Sequence, residues 1–270
     1  MIPSLLIHPE TGRVGPEAGS AAPGHQTAAA AGRRSQQEAL QGKITAVYDG
    51  DTVRVRPESG EEKRVRLIGV DSPELDDSRE KVRFLAFLSR RFAFHHLYER
   101  VVTLTFDRET EDSYGRLLAY VWTEDGRLFN EFLVREGFAS AYLKFPFDEV
   151  VRKRLKEAEG QARRTSSGLW QPEPFPQIDP GAVAGSVGKI VTVMFRCTGT
   201  LKRSGYLVLR PGRGGFEVLI QRSTLAALSG DTDFKGRTLR VVGFVELFRG
   251  VPQVMVGVAS QLAVVAEPAR

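Results

Sequence analysis

The sequence predicts a β-barrel fold with helices, of the α+β class, in which a second, smaller barrel follows the first. Residues 43–48, 52–56 and 63–70 alternate apolar and polar side chains, and short turns separate them, as expected of a three-stranded meander. Residues 79–98 switch to helical spacing, and two more strands follow. The same order of three strands, a helix and two strands returns in the second half of the chain, which indicates a second barrel.

In the first half, the two remaining strands are predicted at residues 101–106 and 116–122. A short helix over 129–136 should end at Gly137, because glycine is common at the position after a helix. A last helix is predicted over 151–162, where apolar residues recur at spacings of three and four and the other face is basic. That basic face is either a solvated surface or a contact for a polyanion.

The second half predicts a small five-stranded Greek-key barrel. Its predicted elements are strands at 189–197, 206–210 and 216–220, a helix at 223–228, and long strands at 237–248 and 252–258. Gly236 and Gly243 can supply the bends that let a long strand serve both faces of a barrel.

Composition divides the chain into four parts. Residues 1–40 are rich in Ala and Gly without a periodic apolar face, so we expect a disordered tail. The first barrel domain is predicted over 41–170, a proline-rich linker over 171–186, and the second barrel over 187–265. We expect the linker to separate two units that fold independently.

Residue usage excludes several classes of protein. Hydrophobic residues make up 41% of the 270 and charged residues 26%, which rules out wholesale disorder. The single cysteine, Cys197, excludes an internal disulfide framework and a thiolate zinc site. The adjacent His95 and His96 cannot easily share one metal ion, and we interpret them as structural.

Localisation is left open by the sequence. No window approaches 18 uninterrupted apolar residues, so no membrane-spanning segment is expected. The apolar run at residues 5–7 follows Pro3 and Ser4 and lacks a basic start, so it does not resemble a signal peptide. No obligate protein partner is evident.

The positive charge is concentrated at one end of the chain. The formal net charge is +5, and residues 181–270 contain twelve Lys or Arg against five Asp or Glu. A basic terminal domain beside a nearly neutral one favours a polyanionic partner such as nucleic acid. A soluble surface without a partner is the alternative.

Three motifs place acidic side chains or arginines at turns. They are Asp-Gly-Asp-Thr at 49–52, the segment from Arg66 to Glu74, which reads Arg-Leu-Ile-Gly-Val-Asp-Ser-Pro-Glu, and Asp-Ser-Tyr-Gly-Arg at 112–116. Each alone is compatible with an ordinary surface turn. Together they provide the functional groups of a hydrolytic site.

These groups match the needs of phosphodiester hydrolysis. Asp51 and Asp71 can bring two carboxylates to one point, which suits a hard cation such as calcium. Glu74 can hold or activate a water molecule. Arg66 and Arg116 supply planar donor forks that match phosphate oxygens.

The three motifs, in this order, resemble the staphylococcal nuclease (thermonuclease) family over residues 42–170. Residues 130–137 and 167–170 also resemble closing segments of that family. The resemblance implies an OB-fold barrel with three helices that hydrolyses DNA and RNA with calcium and leaves 3′-phosphate ends.

The resemblance also implies roles for individual residues. Asp51 and Asp71 would be the calcium carboxylates, and the main-chain carbonyl of Ser72 a further ligand. Glu74 would be the general base.

Arg66 and Arg116 would bind the scissile phosphate, and Tyr114 and Tyr142 would line the nucleotide pocket. Ser113 departs from the family pattern, because the best-known member has a lysine there; this departure concerns nucleotide binding and not the chemistry.

Residues 187–265 resemble a second OB-fold, of the nucleic-acid-binding type, through 236–243 and 249–253. This domain has no metal-ligand cluster in its sequence, so we assign it binding and not catalysis. Four aromatic residues can offer stacking faces, and half of them are expected in the core: Tyr206, Phe216, Phe244 and Phe248. They are interspersed with four cations: Lys202, Arg203, Arg210 and Arg213.

Two non-catalytic alternatives compete with a nuclease. One is a nucleic-acid- or protein-binding scaffold that reuses the nuclease fold after its site has decayed. The other is a protein-interaction scaffold of paired barrels, which predicts exposed apolar patches in place of basic ones. The five charged residues of the predicted site are all present, which favours an enzyme. DNA or RNA preference and endo or exo mode stay open.

Overall fold

The structure is a computed structural model that describes residues 39–228 and 232–265. The predicted tail, residues 1–40, lies outside the described residues except for its last two. Within the described ranges, no helix is both long enough and apolar enough to cross a membrane.

The first half of the described chain folds into a closed five-stranded barrel with three helices. Its elements in order are β1 (Leu40–Val47), β2 (Thr52–Pro57), β3 (Lys63–Leu67), β4 (Val70–Asp71), α1 (Glu80–Leu97), β5 (Val101–Thr105), β6 (Leu117–Thr123), α2 (Phe129–Arg135), β7 (Ser140–Ala141) and α3 (Glu149–Arg164). The barrel order is β1-β2-β3-β6-β5, with β5 paired back to β1. Only β3 and β6 run parallel among these five strands. The predicted barrel is therefore confirmed.

The third predicted strand, 63–70, is interrupted in the structure. It ends at Leu67, and Gly69 adopts a left-handed backbone conformation with φ +73°. Such a conformation cannot continue a strand, and glycine adopts it without strain. The chain therefore turns, and Val70–Asp71 pairs with β7 outside the barrel.

The second half folds into another closed five-stranded barrel. Its elements are β8 (Gln177–Ile178), β9 (Ile190–Arg203), β10 (Tyr206–Pro211), β11 (Glu217–Gln221), α4 (Arg222–Ala227), β12 (Thr238–Phe248), β13 (Val251–Val256) and β14 (Leu262–Val264). The order β9-β10-β11-β13-β12 closes on β9, and β11 runs parallel to β13. Both barrels thus connect their five strands in the same order, as the sequence predicts.

Strand β12 belongs to both sides of the second barrel. Its residues up to Phe244 pair with β9, and its residues from Val245 onward pair with β13. Gly243 lies at this changeover, and a Cβ there would come within 2.6 Å of the Val254 side chain. The sequence predicts that a glycine here lets the strand serve both sides of the barrel, and the change of partner strand occurs at this position.

The two barrels are packed together. Ile190, Val242 and Phe244 of the second half belong to the same apolar cluster as the interior of the first barrel, and so does Phe175 of the predicted linker. This differs from the expectation of two independently folding units. The reason is α1, which is apolar on more than one face and buries one of them against β12.

His96 on α1 has an environment that disfavours its charged form. Its ring lies 4.4 Å from the ring of Phe92 and 5.0 Å from that of Phe132. Burial, together with the smaller effects of three positive groups, lowers the pKa of His96 to about 4; these groups are His95, Arg127 and Arg100. Two carboxylates line the same surface depression, Glu124 and Asp125. The latter forms an ion pair with Arg127.

The free energy of unfolding should therefore fall as the pH drops from 6.5 towards 4. As the pH falls, His96 is protonated in the unfolded chain at a higher pH than in the folded chain, because its pKa in the unfolded chain is ordinary. This protonation stabilises the unfolded chain by up to about 3 kcal/mol. Urea denaturation of the wild-type protein and of His96→Gln at pH 7 and pH 4.5 measures this effect. The variant should lose less stability between the two pH values, and an equal loss in both proteins contradicts the assignment.

Candidate active site

The turn between β1 and β2 contains Gly50, and the absence of a side chain there lets the turn lie close to Ser72 and Ser89. The Asp51 amide donates to Oδ1 of Asp49 at 2.9 Å, which closes the turn. A Cβ on Gly50 would lie 2.0 Å from Oγ of Ser89 and 2.8 Å from Cβ of Ser72. Only glycine fits between these two serines, so the turn is packed directly against α1 and the segment after β4.

The carboxylate of Asp51 is buried and contacts three groups. Its side chain forms an ion pair with Arg66. Oδ2 accepts the main-chain N–H of Ser72 at 2.6 Å, and Oδ1 accepts the hydroxyl of Thr52 at 3.1 Å. Asp51 therefore joins the turn to the segment that begins with Asp71.

Arg66 on β3 links the two predicted metal-binding carboxylates. Its Nη1 contacts Asp51, and its Nη2 lies 3.3 Å from Oδ1 of Asp71. The side chain of Arg66 is 18% exposed, whereas that of Asp71 is 51% exposed. The structure thus brings three of the predicted site residues to one point, with one guanidinium between two carboxylates.

Glu74 and Arg116 lie within electrostatic range of the same guanidinium. Burial lowers the pKa of Arg66, and the carboxylates of Asp49 and Asp71 oppose that shift. The positive charge of Arg116 lowers this pKa further, and Glu74 raises it. Burial also raises the pKa of Glu74, with a further rise from Asp49 and an opposing effect of Arg66.

Arg116 and Tyr114 are positioned by one carboxylate. Asp112 accepts the main-chain N–H of Tyr114 at 2.9 Å and Nε of Arg116 at 2.7 Å. The guanidinium of Arg116 lies 5.4 Å from the ring centre of Tyr114, whose residue is 83% exposed. The exposed ring beside an arginine can accept a base and a phosphate from solution.

Tyr142 lies next to the Asp71 strand. Its amide donates to the carbonyl of Gly69 at 2.8 Å, directly after β7 pairs with β4. The Lys144 ammonium lies 5.5 Å from the Tyr142 ring, and the exposed ring of Phe145 lies 5.8 Å from it. Tyr142 is predicted for the site from the sequence, whereas Lys144 and Phe145 were not predicted, because they show no periodicity.

Asn130 is another residue that sequence reasoning did not single out for the site. Its side chain is fully buried on α2, and Oδ1 accepts the Val121 amide at 2.9 Å. Nδ2 donates to the carbonyls of Ile68 and Ala119 at 2.9 and 3.3 Å. Asn130 therefore fixes the chain between Arg66 and Asp71.

The donor types at the site fit a hard cation. Within 39–228 and 232–265, no three acidic, histidine or cysteine side chains already converge as a metal group. The available donors are the carboxylates of Asp51 and Asp71, brought together by Arg66. Calcium takes oxygen ligands from carboxylates, main-chain carbonyls and water, so these residues suit it better than they suit zinc.

The predicted stacking residues of the second barrel divide into two groups. Phe216 and Phe244 are buried, whereas Tyr206 is half-buried and Phe248 is exposed. Three of the four predicted cations carry no ion pair in the described chain: Lys202, Arg210 and Arg213. Arg203 pairs with Glu217 at 2.7 Å.

Comparison with known proteins identifies relatives of the first barrel. Residues 64–172 match the protein family described as staphylococcal nuclease homologue. The thermonuclease of Staphylococcus intermedius is 37% identical over 128 residues, which cover 47% of this chain and 74% of that protein. The thermonuclease of Staphylococcus hyicus is 35% identical over 128 residues, with the same two shares. An uncharacterized endonuclease of Escherichia coli O157:H7 is 31% identical over 131 residues, which cover 48% of this chain and 77% of that protein.

The matched family segment contains most of the assembled site. Arg66, Asp71, Glu74 and Arg116 lie within residues 64–172, and Asp51 lies just before them. The second barrel, from β9 onward, lies beyond the segment.

Proposed function

Because the chain belongs to the staphylococcal nuclease family, we propose that it is a calcium-dependent nuclease that hydrolyses DNA, RNA or both to products with 3′-phosphate ends. The observation that supports this most is the position of Arg66 between two carboxylates. One guanidinium and two acidic side chains at the same point provide both a phosphate-binding group and a cation-binding pair.

The reaction adds water across a phosphodiester bond. The water oxygen bonds to phosphorus, the bond from phosphorus to the 5′ oxygen breaks, and that oxygen takes up a proton from solvent and leaves as a hydroxyl. Glu74 takes the proton from the attacking water. Arg66 and Arg116 donate hydrogen bonds to the phosphate oxygens as negative charge accumulates.

Asp51, Asp71 and the main-chain carbonyl of Ser72 would hold calcium, which supplies positive charge beside the phosphate when it is bound. Tyr114 and Tyr142 would bind the nucleotide on the product side of the site. Their aromatic rings can stack on a base whose neighbours are splayed apart.

Cleavage should require calcium and stop in excess chelator. The assay is digestion of end-labelled single- and double-stranded DNA and RNA with calcium, with magnesium or with a chelator, followed by identification of the new ends. Asp71→Asn should raise the calcium concentration needed for half-maximal cleavage, because one of two carboxylate ligands is lost. The matched control is Asp125→Asn, since the exposed Asp125 pairs with Arg127 and is not among the residues of the assembled site.

Undiminished cleavage in chelator contradicts the calcium mechanism. Absence of cleavage under every condition contradicts the nuclease itself and favours the alternative, a non-catalytic scaffold that reuses the fold.

We also propose that the loops of the second barrel bind the nucleic acid outside the reaction site. Lys202 lies in the exposed β9–β10 hairpin. The exposed β12–β13 hairpin carries Phe248 and Arg249, with the guanidinium 5.4 Å from the ring centre. A cation beside an exposed ring suits a phosphate and its base.

Removal of these loop charges should weaken binding of long polynucleotides and flatten its salt dependence. The variant is Lys202→Gln with Arg249→Gln, and each cation that no longer neutralises a phosphate should lower the log–log salt slope by about one. The matched control removes two positive charges from the first barrel, Arg56→Gln with Lys63→Gln, each of which is paired with a neighbouring glutamate. Affinity for long DNA at several salt concentrations measures the effect, and an unchanged slope in the loop variant contradicts this role.

A further inference from the structure

Helix α1 lies between the candidate active site and the second barrel. Three consecutive residues in its middle, Ser89, Arg90 and Arg91, contact different parts of the molecule. The first two contact the region of the β1–β2 turn, and the third contacts the second barrel. Helix α1 therefore directly connects the candidate active site with the second barrel.

On the side of the site, Ser89 and Arg90 support the β1–β2 turn. Ser89 is fully buried, and its hydroxyl donates to the Phe138 carbonyl at 2.6 Å. That hydroxyl occupies the space that a side chain on Gly50 would need. Nε of Arg90 donates to the carbonyl of Val47, the last residue of β1, at 3.1 Å. Gly50 within the turn and Val47 just before it therefore both contact α1.

On the side of the second barrel, Arg91 forms a buried ion pair with Glu246 on β12. Nε donates to Oε2 at 2.9 Å, and Nη2 donates to Oε1 at 2.6 Å. Gln253 on β13 donates to the same Oε1 at 2.6 Å. Arg91 is 8% exposed and Glu246 only 2%. A buried pair of this kind contributes little net stability, but neither charge tolerates losing its partner, so it disfavours other positions of the helix on the barrel.

Apolar contacts continue the same interface. Phe87, one turn before Arg91, packs with Val208, Leu219 and Met255 on the outside of β10, β11 and β13. Gly257 makes room for this ring, since a Cβ there would lie 2.1 Å from a ring atom. OB barrels commonly bind oligonucleotides on the face of their second and third strands. In this chain Phe87 of α1 packs against that face, so we place the nucleic-acid contacts at the loops.

We propose that the second barrel is a positioning part of the active site, in which Glu246 holds Arg91 and thereby fixes the β1–β2 turn that carries Asp51. Glu246 and Arg91 are positioning residues, since they act on the site through Ser89 and Arg90. The catalytic part of this inference rests on the proposed nuclease function. The structural part, a turn kept rigid by a distant barrel, does not.

Hydrogen exchange tests the structural part without any assay of activity. Glu246→Gln keeps the shape of the side chain and removes its charge. Amides of residues 48–52 in this variant should exchange at least about tenfold faster than in the wild type, because the support of α1 is loosened. Val218→Ala is the matched control: Val218 is fully buried inside the second barrel, away from α1. It should destabilise the barrel without changing exchange in the turn.

Kinetics test the catalytic part. At a temperature where each variant is folded, Glu246→Gln should lower kcat on a short oligonucleotide by about tenfold, since small displacements at a site have effects of this size. KM should stay within about twofold, because Tyr114 and Tyr142, which we propose to bind the nucleotide, lie outside the β1–β2 turn. Val218→Ala should keep the kcat of the wild type. Arg91→Lys, which keeps the charge and loses the fork, should give a smaller change in the same direction and serves if Glu246→Gln does not fold.

Faster exchange in the turn together with lower kcat supports the proposal. Wild-type exchange in the turn of a folded Glu246→Gln or Arg91→Lys overturns it, and so does an equal effect of Val218→Ala. A wild-type protein that cleaves no nucleic acid contradicts the nuclease function instead. In that case, the comparison of hydrogen exchange between Glu246→Gln and the wild type still tests whether the second barrel keeps the β1–β2 turn rigid.

Discussion

Arg66→Lys should lower turnover by about a hundredfold or more, because an ammonium group cannot reproduce the planar fork of a guanidinium. In the structure that fork reaches Asp51 with one nitrogen and Asp71 with the other. Lysine can neutralise one of these carboxylates but cannot hold both. The variant should stay folded, since a positive charge still accompanies the buried Asp51.

Arg116→Lys should have a turnover effect of similar size for a simpler reason. Its Nε is bound to Asp112 at 2.7 Å, which orients the guanidinium towards solvent-accessible space beside Tyr114. Lysine loses that orientation along with the second donor. Because Arg116 is not paired with Asp51 or Asp71, the calcium dependence of this variant should match that of the wild type, unlike that of Arg66→Lys.

Initial rates at saturating substrate measure both effects, with circular dichroism to verify folding. Arg56→Lys is the matched control, since Arg56 lies on the same barrel, is 58% exposed and pairs with Glu62. It should keep full turnover. If Arg66→Lys or Arg116→Lys also does, that arginine does not bind the scissile phosphate.

Local patterns predicted the barrels because strands and turns carry their own signals. Alternation placed β2 over Thr52–Pro57 within one residue of the prediction, and the repeated strand order matched the connection of both barrels. The special role of Gly243 was predictable, because a glycine inside a strand pattern indicates a bend. The pairing of Val70–Asp71 with β7 was missed, because two-residue strands have no periodicity.

The packing of one barrel on the other was not predictable in this way. Arg91 and Glu246 are separated by 155 positions, and in isolation each is a charged residue expected at the surface. The proline-rich stretch favoured a linker, yet its Phe175 is buried in the core. Only the folded chain shows that α1 has two partners.

The site was predicted in part because its charged residues are grouped at turns. Asp51, Arg66 and Asp71 converge as expected. Ser89 and Asn130 were not identified as supports of the site, because both lie on helices and act on main-chain atoms of distant segments. The residue type alone does not reveal such a role, since Ser and Asn side chains in helices can equally point to solvent.

The largest loss of stability should come from breaking the Arg91–Glu246 pair on one side only. Arg91→Met leaves Glu246 buried with Gln253 as its remaining donor. Removal of one partner from a buried pair costs about 3–5 kcal/mol, because the other charge stays out of water without compensation. Glu246→Leu should be as damaging, since it leaves the buried Arg91 guanidinium without its carboxylate partner.

The double variant, Arg91→Met with Glu246→Leu, should recover most of the lost stability. Two apolar side chains of similar volume replace the pair, and such replacements are often neutral or stabilising. Chemical denaturation of the wild type, both single variants and the double variant gives the coupling free energy of this cycle. Additive losses in the double variant contradict a direct interaction between the two residues. If the double variant is stable but the β1–β2 turn exchanges faster than in the wild type, the ion pair contributes to the position of α1 and not to the stability of the fold.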